Sequence, residues 1–330
     1  MKIVIPAAGQ GTRLRPHTFS RPKVMLPVAG RPIIGHILAD VAELGAAEIR
    51  LVVGYRGDTI GEYVREEFPD LPVRLVWQQE QRGLGHAVLQ ALDEGDHGPL
   101  LVVLGDTVFD VDYGAVVASE THVLGVRRVP DPERFGLVEL DDSGERVVRL
   151  VEKPAEPKTD LALVGLYFLR DGEALRRSID ELVKEDRTTR GEYQLTDALQ
   201  SMVDAGEHFV PYEIGDWYDC GKPETLLDTN RALLERRPPE IPGDVHGSAA
   251  AIVPPVYIGP DCTIESAVVG PWVSLQRGSI VRDSVVRNSI VMERSRVEGA
   301  FLDRSIIGPG ARVHGRAREL DLGDDSKVEW

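Results

Sequence analysis

The chain has 330 residues, a formal charge of −16, 42% hydrophobic and 28% charged residues. That length predicts two domains, and the acidic balance argues against general binding to nucleic acid or to an anionic membrane. No apolar run reaches the ~18 residues of a membrane span, two cysteines (Cys220 and Cys262) make neither a disulfide framework nor a zinc set, and the absence of a signal-peptide pattern predicts a cytoplasmic protein.

Ile3-Val4-Ile5 reads as a buried strand that breaks into the loop Pro6-Ala7-Ala8-Gly9-Gln10-Gly11-Thr12-Arg13-Leu14. Residues 1–39 contain no Asp or Glu but carry Lys2, Arg13, Arg15, Arg21, Lys23 and Arg31, a cationic island in an acidic chain. Helical spacing follows over Pro32–Leu44, with Gly45 placed as a C-cap. Strands are predicted at Ile49–Val53, Val73–Trp77 and Leu100–Leu104, with helices at Thr59–Phe68 and Gly85–Leu92 between them. This alternation predicts an α/β domain with a Rossmann-like, mostly parallel sheet and ligands at the carboxyl ends of its strands. Shorter strands are expected at Val123–Val129, Gly136–Leu140, Val147–Val151 and Leu163–Leu169. Helices at Gly172–Lys184 and Gln194–Ala205, a strand at Phe209–Ile214 and a helix ending at Glu235 complete a domain over 1–237.

Prolines mark a linker at 238–244. Beyond it, over 245–330, Ile252, Ile258 and Ile264 are six apart, and further apolar residues continue at intervals of about four to seven between Gly turns. That texture predicts a β-helix of stacked coils.

The opening loop suits an anion, because glycines let backbone N–H groups approach it and Arg13 and Lys23 add charge. Leu14 stands where a dinucleotide fingerprint needs its third glycine, and no Gly-Lys-Ser/Thr follows, which removes the nicotinamide and P-loop readings. Gln78, in the loop Gln78–Ala87, offers a donor and an acceptor suited to the edge of a base. Asp106 ends an aliphatic strand and Asp219 follows Trp217-Tyr218; rigid carboxylates beside a phosphate site suit Mg²⁺. Asp110 and Asp112 read as turn and helix-start residues. No nucleophile elbow or paired-histidine spacing is present.

Taken together, these segments resemble the sugar-1-phosphate nucleotidylyltransferases. The motifs are Ala7-Ala8-Gly9-x-Gly11-Thr12-Arg13-Leu14, Pro22-Lys23-x-x-Leu26-Pro27, Gly83-Leu84-Gly85-His86-Ala87, Gly105-Asp106, Phe135-Gly136, Glu152-Lys153-Pro154, Glu192-x-x-Leu195-Thr196-Asp197 and Trp217-x-Asp219-x-Gly221. They run in family order over about 1–235, and the tail resembles the left-handed β-helix that many members carry. The resemblance implies transfer of a nucleotidyl group from an NTP, dTTP or UTP, to a sugar 1-phosphate, with Mg²⁺. It implies that Ala8, Gly9, Gly11 and Thr12 hold the nucleotide phosphates and that Gln78 and Gly83 read the base. Arg13 and Lys23 would neutralise the reacting phosphates. Gly136, Glu152, Lys153 and Gly165 would line the sugar-phosphate pocket, and Asp106 and Asp219 would hold the metal.

Ala8 replaces a frequent glycine, which blurs the choice between thymidylyl and uridylyl transfer. Glucose 1-phosphate with dTTP is the first expectation, and a homo-oligomer is expected. Two other readings stay open: a β-helix that also acetylates, with His246 or His314 as base, and a regulatory paralogue that binds nucleotide sugar without turnover.

Overall fold

The computed structural model describes residues 1–236, 238, 248–315 and 320–329. The predicted linker beyond 238 and His246 lie outside the described residues. Contacts divide the chain into two compact units, one of Met1–Gly9 with Ile37–Trp217, the other of Gln10–His36 with Tyr218–Trp330.

The first unit is built on a nine-stranded mixed sheet. Its parallel centre is Leu100–Val103, Lys2–Pro6, Glu48–Val53 and Val73–Trp77 in that order. Ile3, Val4, Ile5, Leu51, Val52 and Val53 are fully buried, as continuous aliphatic runs must be when helices cover both faces of a parallel sheet. Leu161–Leu169 joins antiparallel to Leu100–Val103 and to His122–Arg128, and Gly136–Leu140 with Val147–Glu152 extends that edge. Phe209–Glu213 pairs parallel with His122–Arg128. Helices Leu84–Gln90, Gly172–Lys184 and Leu195–Asp204 share one apolar core with the sheet.

Helix ends follow local chemistry. Asp171 caps Gly172–Lys184 by accepting from the Glu173 amide at 3.1 Å. Asp112 caps the short helix Tyr113–Val117 through the Ala115 amide at 2.9 Å, as a helix-start residue should, whereas Asp110 ends the strand Thr107–Asp110 instead of lying in a turn.

The second unit contains a left-handed parallel β-helix with three ladders. One ladder runs Val256–Ile258, Val273–Leu275, Ile290–Val291, Ile306–Ile307 and Asp321–Leu322; the others begin at Thr263–Glu265 and Ala251–Ile252. Val268 pairs with Val285, 17 residues on, and Arg312 with Lys327, 15 on. Coils are thus shorter than three strict six-residue repeats, which is why the apolar spacing drifts. Ile264, Val281, Val297 and Val313 stack inside, each 1% exposed or less. Buried serines satisfy the corners: Ser279 and Ser295 donate to the carbonyls of Met292 and Gly308 at 2.9 and 2.7 Å. Among the described residues no helix is long and apolar enough to cross a membrane.

Candidate active site

The predicted site residues are divided between the units. Ala8, Gly9, Gln78, Gly83, Asp106, Gly136, Glu152, Lys153 and Gly165 belong to the first; Gly11, Thr12, Arg13, Lys23 and Asp219 belong to the second.

In the first unit the strand Lys2–Pro6 delivers Ala8 and Gly9 at its carboxyl end. Ala8 is buried against Gly54, while Gly9 is exposed with no heavy atom within 4 Å of the place its Cβ would occupy. Asp106 leaves the neighbouring strand at the same end, since the Gly105 amide donates to the Pro6 carbonyl at 3.1 Å. A Cβ on Gly105 would lie 2.8 Å from that carbonyl. The Thr107 hydroxyl donates to Asp106 Oδ1 at 3.3 Å.

The loop after Val73–Trp77 is tied to this edge. Gln81 Nε2 donates to the Ala8 carbonyl at 2.7 Å. Gln78, 7% exposed, has its Nε2 3.2 Å from His86 Nδ1. Burial first, then the Arg82 charge, holds the His86 imidazole below the ordinary histidine range, so the neutral ring accepts from the Gln78 amide. Gly83 has φ 111° and opens the helix Leu84–Gln90. Its Cβ would fall 2.6 Å from the Tyr193 carbonyl, so the Tyr193 backbone lies directly on the glycine. The Gly85 amide donates to that same carbonyl at 2.8 Å.

Gly136, Glu152 and Lys153 come together where Gly136–Leu140 and Val147–Glu152 pair. Glu152 Oε2 accepts from the Thr196 hydroxyl at 2.7 Å and Oε1 lies 3.0 Å from Lys153 Nζ. A side chain at Gly136 would meet both Thr196 Oγ1 and Glu152 Oε2, at 2.9 and 3.0 Å. Asp197, next along the helix, has its carboxyl raised above the ordinary range by burial and by the Glu152 charge, against a hydrogen bond with Thr189. Gly165 has φ +96° and lies where the register of Leu161–Leu169 shifts; a Cβ there would meet Leu104 at 2.5 Å.

In the second unit the chain from Gly11 folds back on itself. Gly11 has φ 62°, and its Cβ would lie 2.8 Å from Lys23 Cβ and 3.0 Å from Thr18 Cγ2. The Thr18 hydroxyl donates to the Gly11 carbonyl at 2.8 Å. Lys23 is 6% exposed, whereas Thr12 and Arg13 face solvent. Arg13 Nη2 and Asp219 Oδ1 flank Gly221, 3.0 and 2.7 Å from the position of an added Cβ, so a cation and a carboxylate share that corner.

Among the described residues no group of three or more His, Cys, Asp or Glu side chains is placed to hold a metal. Asp106, in the first unit, and Asp219, in the second, each offer a carboxylate, the ligand type that suits Mg²⁺, a hard cation that keeps several waters and completes its shell with substrate phosphates.

Sequence reasoning assigned no role to Gln81, Thr18, Tyr193 or Asp197, nor to Thr196 as the clasp on Glu152. Tyr193, Thr196 and Asp197 lie in or beside a quoted motif, which was the available signal.

The family described as nucleotidyl transferase matches residues 2–236. A glucose-1-phosphate thymidylyltransferase of Streptomyces griseus is 33% identical, covering 100% of this chain and 99% of its own. A UTP–glucose-1-phosphate uridylyltransferase of Haloferax volcanii is 32% identical over 71% of this chain and 97% of its own. Among solved structures, a UDP-glucose pyrophosphorylase complexed with UDP-glucose has a TM-score of 0.62 at 24% identity, covering 72% of this chain and 99% of that one. At that identity the likeness speaks for the fold.

Proposed function

Because the chain belongs to the sugar-1-phosphate nucleotidylyltransferases, we propose that it makes dTDP-glucose and pyrophosphate from dTTP and glucose 1-phosphate. The observation that carries the reading is the cradle at Gly11. A glycine backbone closes on the stem of a buried lysine, Lys23, in a stretch of 39 residues without one acid. Such a cradle is suited to a polyphosphate.

A phosphate oxygen of the sugar 1-phosphate attacks the α-phosphorus of the NTP in line. The new P–O bond forms as the bond to the β-phosphate oxygen breaks, and pyrophosphate leaves with the electron pair. No covalent enzyme intermediate is needed, so the protein's task is positioning and charge stabilisation. Ala8, Gly9, Gly11 and Thr12 hold the triphosphate through backbone groups. Arg13 and Lys23 offset charge building on the leaving group. Gln78 and Gly83 receive the base, with neutral His86 fixing the Gln78 amide. Glu152 accepts sugar hydroxyl hydrogens, with Gly136 and Gly165 lining the sugar pocket and Lys153 meeting the sugar phosphate. Asp106 and Asp219 would hold Mg²⁺, which when bound supplies positive charge to the phosphate oxygens.

A second reading, UTP in place of dTTP, is favoured by the 32% identity to the Haloferax uridylyltransferase. The two bases differ by one methyl group, worth about 1–3 kcal/mol in an apolar pocket. A matrix of nucleoside triphosphates against sugar 1-phosphates, read by pyrophosphate release with Mg²⁺ present, tests both. The expected maximum is dTTP with glucose 1-phosphate. A maximum with UTP selects the second reading, and binding of nucleotide sugar with no release from any pair overturns both in favour of a regulatory protein.

A further inference from the structure

We propose that one ladder of the β-helix is the template on which the loop Gln10–His36 is set, and that Arg21 and Glu293 are positioning residues for Lys23. The proposal rests on reading that loop as the phosphate site.

All these residues belong to the second unit. Five contacts, one of them through Asn230, tie the loop to the ladder that begins at Val256–Ile258 and to the residues flanking its strands. The Tyr257 ring lies where a Cβ on Gly30 would be, with ring carbons 2.4 Å from that position. Asn230, fully buried on the helix Pro223–Glu235, joins the loop to the next coil. Its Oδ1 accepts from the Ala29 amide at 2.9 Å and from the Ser274 hydroxyl at 2.6 Å, while its Nδ2 donates to the Trp272 carbonyl at 3.2 Å. Arg21 then meets Glu293 in a two-pronged pair, Nη1–Oε1 at 3.3 Å and Nη2–Oε2 at 3.1 Å. Finally His17 Nε2 donates to Asp321, and Gly323 lies against Pro16, whose Cβ would be 2.9 Å from an added Cβ.

The order is informative. As the tail advances through Tyr257, Trp272–Ser274, Glu293 and Asp321–Gly323, the loop retreats through Gly30, Ala29, Arg21 and His17–Pro16. The two run in opposite directions past each other. Lys23 lies between two of the ties, two residues from Arg21, with its backbone stiffened by Pro22. A forked arginine–carboxylate pair fixes direction as well as distance. Both partners are part-exposed, with side-chain exposures of 21% and 35%, so such a pair adds little to global stability. Its effect is expected in the placement of the loop, where small displacements of charged groups are costly to rate.

The test is a charge-swap cycle in the full-length chain: Arg21→Glu, Glu293→Arg and the double variant, with pyrophosphate release read as separate kcat and KM values. Each single variant is expected to lose on the order of tenfold in kcat/KM for the NTP. Its melting temperature should stay within about 3 °C of the wild type. The double variant should recover to within about threefold, because only the paired geometry restores the loop. Single variants with wild-type constants, or a double variant no better than the worse single one, overturn the proposal. Amide exchange across residues 11–26 gives a readout independent of turnover. It should quicken in Glu293→Arg and return in the double variant. If the wild type turns over no substrate pair, the functional reading fails while this exchange still decides the positioning role; unchanged exchange then overturns it.

Discussion

Glu152, proposed above to meet the sugar hydroxyls, is held from two sides. Thr196 and Lys153 each take one of its oxygens, and the lack of a side chain at Gly136 lets the Glu152 carboxylate and the Thr196 hydroxyl lie close to that backbone. Glu152→Gln keeps the shape and removes the charge. Hydrogen bonds to charged groups are worth about 1.5–3 kcal/mol, so the KM for sugar 1-phosphate should rise by roughly ten- to a hundredfold while that for the NTP holds; steady-state pyrophosphate release checks it. Asp106→Asn is expected to abolish most activity while melting stays near wild type, and near-normal turnover there would remove Asp106 from the metal set. His86 sets a pH dependence. Its folded-state pKa is lowered by burial and by Arg82, so the unfolded chain takes up this proton first as pH falls. The folded protein therefore keeps the ring neutral to a lower pH than the ordinary histidine value near 6.5; stability begins to fall as pH drops below that value, and the proposed base contact weakens only as pH falls through the lower folded-state value. KM for the NTP should rise over that acid limb, and His86→Asn, which cannot titrate, should flatten the rise.

At the scale of elements, the glycine at the head of Leu84–Gln90 and the serines of the β-helix carry the geometry. Gly83 needs φ 111° and touches the Tyr193 backbone, so Gly83→Ala must strain the turn and push Tyr193 away. A cost of about 1–3 kcal/mol is expected, read as a lower melting temperature together with a higher KM for the NTP. In the tail, the Ser284 hydroxyl accepts from the Ala300 amide at 3.1 Å in the next coil. Ser284→Ala leaves a buried N–H without that partner and should cost about 1–3 kcal/mol, seen as an earlier thermal transition with kinetics unchanged. The strand Thr107–Asp110 escaped sequence reading, because a four-residue element is too short for a period to emerge, whereas the helix start at Asp112 was legible from its capping residue. Longer helices were legible: spacing over Pro32–Leu44 anticipated Ile33–Ala42, and Gly172–Lys184 was read with the ends it has.

At the scale of the molecule, residues 10–36 and 218–236 keep company with the β-helix by contacts, a grouping that crosses the boundary the prolines suggest near 238. Removing residues 238–330 should therefore loosen the loop Gln10–His36, seen as faster proteolytic cleavage within it than in the intact chain. The sequence by itself determined the aliphatic strands, the glycine-bearing loop after the first of them, and the coiled texture of the tail. Those features are local: an apolar run, a period or a glycine speaks through its immediate neighbours. Only the tertiary structure decided which partners hold the site residues. Thr196 grips Glu152 from 44 positions away and Glu293 meets Arg21 across 272. Side chains that far apart in the chain share no period or turn. Their pairing emerges only when the packing of whole elements brings them to one place.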